Sequence, residues 1–570
     1  MRTNKFLLGI LTAGAMFASC SNELPGNEQP ENGEKGEKSF MTVSIKPTSI
    51  TRTASSDGYV DGEGDENTVN SVDFYFFKKD GDAFILGNGT VEEGDQVPEG
   101  KIRKNLYTLK KEAIDDDSED YIDEIVQATL VIEHHTGDVP ASIVAVLNTN
   151  GEYAGMTLED LQKEILDSHT LNGFVMSNSA YVGADGETAI AQPITAANLA
   201  SSADVAEKNP VSIYVERLAA RVNVINKMTP ETNGGHLAKR ITISGEGEVD
   251  VYAKIIGWDL NTTADDTYVI KKIDKTWDFS PTWTWNNPAH FRSYWAKNVD
   301  GLTTTKNFKW ESLTNTLTAK TVDYCLENTT APQKAVTNGV YDRVASRINN
   351  TKALIAAELI DFTGNKVQIA NWYGQNYRLA NFKQVIADVY KTKLLKSTDG
   401  GVTCTPIEVG DIELRQGTGL VGDKEESYKV YFEFSNTGKA ATWYYLDEVT
   451  NTYKAYSTTG TGTAADVLYS TEPARIWNGM AYYIVNIQHL GAKTTDDGID
   501  AEKYQTGYYG VVRNHAYNLE LNSIKGLGTP VYDKTSDIPW PVDPDLTESF
   551  IAADIKVLAW HIIKMGVDLD

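Results

Sequence analysis

The chain has few cysteines and a shortage of basic charge. Its 570 residues include only three cysteines, Cys20, Cys325 and Cys404, and none lies at a spacing typical of a metal site. Cys325 and Cys404 either form one disulfide or remain buried thiols. Lysine and arginine total 52 against 79 aspartate and glutamate residues, a formal net charge of −27. This balance argues against nucleic acid or an anionic membrane surface as a partner.

Catalytic signatures are also missing. There is no G-x-S-x-G elbow, phosphate-binding loop or Cys/His pairing. The eight histidines are scattered, and the adjacent His134 and His135 face opposite sides of a strand, which argues against a shared metal site. The acidic stretch 57–67 lacks the ligand order of a calcium loop, and 115–123 has no second carboxylate placed across a cleft. Both are predicted to be solvated surface loops, and we expect no enzyme, metal or cofactor.

The N-terminus carries an export signal. Arg2 and Lys5 precede an apolar run, residues 6–18, that is too short to span a bilayer as a stable helix. The sequence FASC follows, with small residues directly before Cys20, as in a lipobox. We predict a signal peptide over 1–19, lipidation of Cys20 and a polar tether over 20–38. A plain secretory signal with a chance cysteine is the alternative.

Strand patterns dominate the rest of the chain. Alternating or continuously apolar runs bounded by turn residues occur at 39–45, 72–77, 128–133, 141–148, 211–225, 240–244, 249–259, 353–360, 428–435, 481–488 and 516–524. One helix is predicted at 157–166, capped by Thr157. Because the chain is too long for one core, we predict an all-β protein of two β-sandwich domains in series, 39–230 and 231–525, followed by a linker and terminal strand at 526–570.

The C-terminal strand is set apart from the domain before it. Prolines at 539, 541 and 544 disfavour regular pairing just ahead of it. Asp554 and Lys556 fall on one face at period two, and the other face is apolar: Ile551, Ala553, Ile555, Val557 and Ala559. Such a strand is suited to strand addition on another subunit. The alternative is an ordinary edge strand that folds back onto its own domain.

Several segments together resemble one family. They are the lipobox, the strand at 40–45, YVERLAARV at 214–222, FRSYWA at 291–296, YCLENT at 324–329 and GVVRNHAYNLELNSIKGLG at 510–528. These look like segments of Bacteroidetes-type fimbrillins, the stalk subunits of type V pili, in the subgroup of the short fimbria's major subunit. The resemblance spans nearly the whole mature chain. It implies two transthyretin-like sandwiches with a C-terminal donor strand.

The resemblance also implies an assembly route. Family members are carried to the outer membrane as lipoproteins, and a trypsin-like protease cuts after an arginine beyond the first strand. The matching residue here is Arg52, with Lys101 and Arg103 as competing basic sites. Removal of residues 39–47 opens an apolar groove, which the donor strand of the next subunit fills through Ile551, Ala553, Ile555, Val557 and Ala559. The product is an extracellular fimbria that supports adhesion and biofilm formation, with other copies, accessory subunits and surface ligands as partners.

Two other functions are consistent with the sequence. A monomeric surface lipoprotein that binds glycan through aromatics such as Trp283 and Trp295 would keep its N-terminal strand and bury its own tail. These tryptophans and Trp285 stack on sugars or fill a core. A glycan hydrolase comes third and has no motif in its favour.

Overall fold

A computed structural model describes most of the chain in separate stretches. They are residues 37–46, 59–61, 64–88, 91–92, 102–110, 127–134, 137–182, 188–227, 236–273, 296–299, 303–304, 308–315, 322–329, 335–337, 340–342, 350–418, 428–469, 472–487, 489, 510–535, 537 and 551–561. Trp283, Trp285, Trp295, Cys20 and Arg52 lie outside them. No helix in these stretches is long and apolar enough to cross a membrane.

Strands are the main regular element among the described residues of the N-terminal part of the chain. Up to residue 217 they are β1 (Glu37–Lys46), β2 (Tyr59–Asp61), β3 (Ser71–Phe77), β4 (Val91–Glu92), β5 (Ile102–Arg103), β6 (Leu106–Lys110), β7 (Gln127–His134), β8 (Ser142–Leu147), β9 (Ile165–Leu166), β10 (Met176–Asn178), β11 (Tyr181–Val182), β12 (Thr188–Ala189), β13 (Gln192–Pro193) and β14 (Val211–Arg217).

The strands continue through the C-terminal half. They are β15 (Ala219–Asn226), β16 (Leu237–Ile243), β17 (Gly247–Asn261), β18 (Thr263–Ala264), β19 (Thr267–Tyr268), β20 (Thr303–Thr304), β21 (Val322–Leu326), β22 (Ala335–Thr337), β23 (Val340–Asp342), β24 (Lys352–Ile360), β25 (Gln368–Trp372), β26 (Gln375–Arg378), β27 (Leu395–Lys396), β28 (Thr405–Pro406), β29 (Ile412–Gln416), β30 (Lys429–Phe434), β31 (Trp443–Asp447), β32 (Thr452–Ala455), β33 (Ala474–Asn478), β34 (Met480–Asn486), β35 (His515–Ile524), β36 (Thr529–Pro530) and β37 (Ile551–His561).

Helices are short, with one exception. They are α1 (Leu158–Leu161), α2 (Ala203–Ala206), α3 (Trp310–Asn315), α4 (Leu379–Tyr390), α5 (Asn436–Ala440) and α6 (Ala464–Tyr469), with 3-10 turns at Gly64–Asn67 and Val409–Asp411.

The all-β fold class is confirmed. The helix predicted at 157–166 is a single turn: Thr157 accepts a hydrogen bond from the Asp160 amide at 3.1 Å as predicted, but Ile165 and Leu166 form a strand.

The first sheet has the order β6-β3-β8-β10-β14-β1-β7, with β13 paired to β8. All seven residues of β3 are buried. Phe74 and Phe76 belong to the core that Met41 and Val43 of β1 join, whereas Tyr75 and Phe77 pack into a second core on the opposite face. Strand β3 is therefore buried on both sides, which explains the apolar run FYFF at its end; the buried Asp73 accepts hydrogen bonds from the Thr108 and Thr149 hydroxyls.

The chain changes sheet at Leu218, inside the run predicted as one closing segment at 211–225. Strand β14 belongs to the first sheet, and β15 to a second of order β2-β37-β35-β15-β21-β18-β20. This sheet faces the five-stranded sheet β16-β17-β24-β34-β36 across one core, as in a sandwich. A further core forms between α4 and strands β25, β30 and β33, and Phe382 and Ile386 anchor the helix there.

Candidate functional site

The N-terminal strand β1 lies inside its sheet, between β14 and β7. It runs parallel to β14, with Val43 opposite Val211, and antiparallel to β7, with Val43 opposite Ala128. Among the described strands β7 has β1 as its only neighbour. Removing β1 would therefore leave two unpaired strand edges and detach β7 from the ladder.

The inward face of β1 completes the first core. Met41 and Val43 are almost fully buried among apolar side chains that include Leu130 and Ile213. Burying each such side chain contributes roughly 1.5–3 kcal/mol. The space between β14 and β7, which we call the β1 slot, is thus an apolar groove that is unstable when empty.

The outward face of β1 is also enclosed at its centre. Thr42 is 0% exposed, and its hydroxyl lies 2.9 Å from that of Thr129 on β7. On the inward face, towards the start of β1, the Ser39 hydroxyl lies 2.8 Å from His134 Nε2. Phe40 and Ala200 exchange two backbone hydrogen bonds of 2.8 Å. The slot therefore limits the size and charge of side chains on both faces of the strand that fills it.

The residues that follow Arg52 are anchored independently of β1. Arg52 itself lies between β1 and β2, outside the described residues. Further along, Glu66 is only 3% exposed, although 57–67 was expected to be solvated. Arg221 Nη1 donates to the Glu66 carboxylate at 3.1 Å, and Arg217 Nε donates to the Glu66 carbonyl at 2.7 Å. A chain cut after Arg52 would keep this attachment.

Glu66 also contacts a residue of the second sheet, Tyr324. The Tyr324 hydroxyl donates to its carboxylate. Burial and this hydrogen bond raise the pKa of Tyr324. Because Tyr324 lies on β21, whereas Glu66 directly precedes β3, the contact ties the two sheets together.

A second ion pair lies at the same junction. Arg513 Nε donates to Glu327 Oε1 at 3.0 Å, and both side chains are at least 97% buried. Arg513 also donates to the Thr267 hydroxyl at 2.8 Å and the Tyr268 carbonyl at 2.7 Å. Strand β19, which holds these two residues, pairs with β9 of the N-terminal half. Three of the segments that carry the resemblance, 214–222, 324–329 and 510–528, thus meet at this junction.

We predict that Glu327→Gln strongly destabilises the protein. The variant keeps the side chain's shape but leaves the buried Arg513 charge unneutralised, at a cost of about 3–5 kcal/mol. The matched control is Glu246→Gln, which breaks the partly exposed pair with Arg378 at 2.9 Å and should cost under about 1 kcal/mol. Denaturant unfolding measures both. Equal losses would show that the junction does not stabilise the fold.

In this single chain the C-terminal strand folds back onto its own sheet. Strand β37 runs antiparallel to β35, from Ile551 opposite Ile524 to Ala559 opposite His515, and parallel to β2. The strand is thus paired within its own chain, as the alternative left open by the sequence expects, although β2 and not β37 forms the edge of this sheet. The role of the strand as a donor to another subunit stays a prediction. With β1 in the slot, pairing with β35 satisfies the backbone hydrogen-bonding groups of the tail within its own chain.

The candidate donor residues follow the backbone register of this pairing. Ile551 lies opposite Ile524, Ala553 opposite Leu521, Ile555 opposite Leu519, Val557 opposite Tyr517 and Ala559 opposite His515. These β35 residues are buried. The structure does not bring the five donor positions to the β1 slot of the same chain.

The other candidate sites yield little. No cluster of three or more His, Cys, Asp or Glu residues suited to a metal occurs among the described residues. His134 forms a hydrogen bond with Ser39. The other candidates lie outside the described stretches: His135, Trp283, Trp285, Trp295 and residues 115–123. Cys325 and Cys404 do not form a disulfide.

The fold and the strand arrangement define an all-β protein built from several packed sheets. Residues 476–565 match the family described as major fimbrial subunit protein type IV, fimbrillin, C-terminal. The matched segment includes β34, β35 and β37. This match confirms the resemblance over the C-terminal region: residues 476–565 are similar to the C-terminal part of fimbrillins, which the description of the family calls major fimbrial subunits.

Solved structures similar to this chain include three proteins of low identity. The fimbrilin FimA of Porphyromonas gingivalis W83 is 12% identical, with 92% of this chain and 98% of that chain covered, at a TM-score of 0.35. The tip fimbrial protein Mfa3 of Porphyromonas gingivalis, truncated at its C-terminus, is 9% identical, with 92% and 100% covered, at 0.28. A cell adhesion protein of Parabacteroides distasonis is 13% identical, with 92% and 98% covered, at 0.33. None of the curated proteins compared with the chain matches it.

Proposed function

We propose that this protein is a shaft subunit of a cell-surface fimbria and polymerises by strand exchange. The observation that carries the proposal is the position of β1. An N-terminal strand fills the slot between β14 and β7, and the chain beyond Arg52 has its own anchor at Glu66. Such a strand can leave after one cut without taking the rest of the domain with it.

The steps before assembly follow from the N-terminus. The precursor is lipidated at Cys20, carried to the outer membrane and cut after Arg52, so that the peptide containing β1 dissociates. The open slot then accepts the C-terminal strand of the next subunit. Partners are therefore other copies of this chain and accessory fimbrial subunits, and the fimbria supports adhesion to surfaces and biofilm formation.

The exchange is balanced in backbone hydrogen bonds. The tail gives up ladders with β35 and β2 and gains ladders with β7 and β14, so the strand has a partner on both sides before and after the exchange. The difference between the two states lies in whether the β1 slot is filled. After cleavage its apolar positions, filled before by Met41 and Val43, are exposed to water until a donor arrives, and refilling each contributes roughly 1.5–3 kcal/mol.

Tryptic treatment of the purified precursor tests the proposal. We expect SDS-resistant oligomer ladders on gels and filaments by electron microscopy, because cleavage in the segment after β1 opens the slot. Untreated protein is the control and should stay monomeric. A glycan-binding monomer would retain β1 and β37 where the single chain has them, so treated protein that remains monomeric would contradict strand exchange.

A further inference from the structure

The N-terminal strand and the C-terminal tail have closely similar sequences. Residues 39–46 read SFMTVSIK and residues 549–556 read SFIAADIK. Aligned without a gap, the segments are identical at Ser39 and Ser549, Phe40 and Phe550, Ile45 and Ile555, and Lys46 and Lys556. The identities bracket the segment at both ends, so the similarity fixes both a register and a direction.

The positions that differ fit the surroundings of β1. Met41 and Val43, which face the core, become Ile551 and Ala553, both apolar. Thr42, enclosed against Thr129, becomes the small Ala552. Ser44, which is 9% exposed against 0% for Thr42, becomes Asp554, whose neighbours in the slot would be the polar residues Gln127 and Ser212.

We infer that the tail enters the β1 slot of the next subunit with Ser549–Lys556 in the places of Ser39–Lys46. The inference rests on the proposed strand exchange and specifies its geometry. The donor runs parallel to β14 and antiparallel to β7, as β1 does. Val557 and Ala559 then lie beyond the end of β1 and contribute less to the joint than Ile551, Ala553 and Ile555.

The enclosed Thr42 position excludes the neighbouring registers. A shift of one residue turns the apolar face of the tail away from the core. A shift of two residues in one direction puts the Asp554 carboxylate at Thr42, where no water reaches it. The opposite shift of two residues puts Phe550 there, in a space that a threonine fills. Ala552 is accepted without strain.

Paired cysteines measure the register directly. Ala128 lies opposite Val43 and Leu130 opposite Met41 on β7, so the inferred register predicts that Ala553 lies opposite Ala128 and Ile551 opposite Leu130 of the next subunit. In a Cys325→Ser, Cys404→Ser background, we combine Ala128→Cys or Leu130→Cys with Ala553→Cys, Ile551→Cys or Ile555→Cys. Each protein is polymerised and oxidised, and reducible covalent multimers are quantified after boiling in SDS.

Two combinations should cross-link most: Ala128→Cys with Ala553→Cys, and Leu130→Cys with Ile551→Cys. We expect their yield of covalent multimers to be at least about tenfold above that of the mismatched combinations, because neighbouring positions on the same face of a strand are separated by roughly 7 Å. Filaments that cross-link best in a mismatched combination, or in none, would overturn the register and leave strand exchange standing. Proteins that form no filaments in any combination, with the Cys325→Ser, Cys404→Ser background also monomeric, would overturn strand exchange and the register with it.

Discussion

Deletion of residues 549–570 should leave a folded, exported monomer that cannot extend a filament. In the filament the tail has to leave β35, so the rest of the chain must stay folded without it. Strand β35 keeps its parallel pairing with β15, and its buried residues keep the core of the second sheet. We expect a cooperative melt by circular dichroism and the complete loss of filaments by electron microscopy.

Single substitutions sharpen this prediction. Ile555→Asp places a carboxylate without a partner at the position of Ile45 in the apolar slot, at a cost of several kcal/mol, and should mimic the deletion. Lys556→Asp is the matched control, because it introduces the same side chain on the opposite face and should polymerise like the wild type. If the deletion unfolds the protein, the tail belongs permanently to its own sheet and is not a donor.

Replacing Arg52 should block assembly at the step before exchange. Arg52→Ala removes the basic residue that a trypsin-like protease requires, so β1 stays covalently attached and the slot stays filled. We expect full-length lipoprotein and no filaments, whereas wild-type filaments should contain subunits that begin at Thr53. N-terminal sequencing of sheared filaments determines the start.

Arg103→Ala is the control for this prediction, since Arg103 is a competing basic site on β5. That variant should be processed at Thr53 and should polymerise normally. A mature start at Ser21, or filaments assembled from Arg52→Ala, would show that β1 is not a removable strand.

Sequence pattern was sufficient for the strands that matter most to the site. The alternation in β1 and the largely apolar run of β3 predicted both strands within two residues at each end. The periodicity of apolar residues indicates which side chains are buried, and both strands are stabilised mainly by the burial of their side chains. It does not report which strands pair, so the insertion of β1 between β14 and β7 became visible only in the fold.

The features that the sequence did not predict depend on contacts between residues far apart in the chain. Helix α4 has Phe382 and Ile386 four residues apart, but short apolar spacing of this kind also fits a strand, and Arg378 provides no side-chain cap. Glu66 lies in an acidic stretch that resembles a solvated loop, and it is held by Arg217, Arg221 and Tyr324, which are far along the chain. The tail's pairing with β35 likewise depends on which edge is free in a single chain.

A filament structure by electron cryomicroscopy would test the central claim most directly. Strand exchange predicts that the space between β14 and β7 of every internal subunit holds residues 549–556 of its neighbour, parallel to β14, and that residues 37–46 are gone. Filaments in which each subunit keeps its own β1 in the slot and its own β37 on β35 would contradict the account.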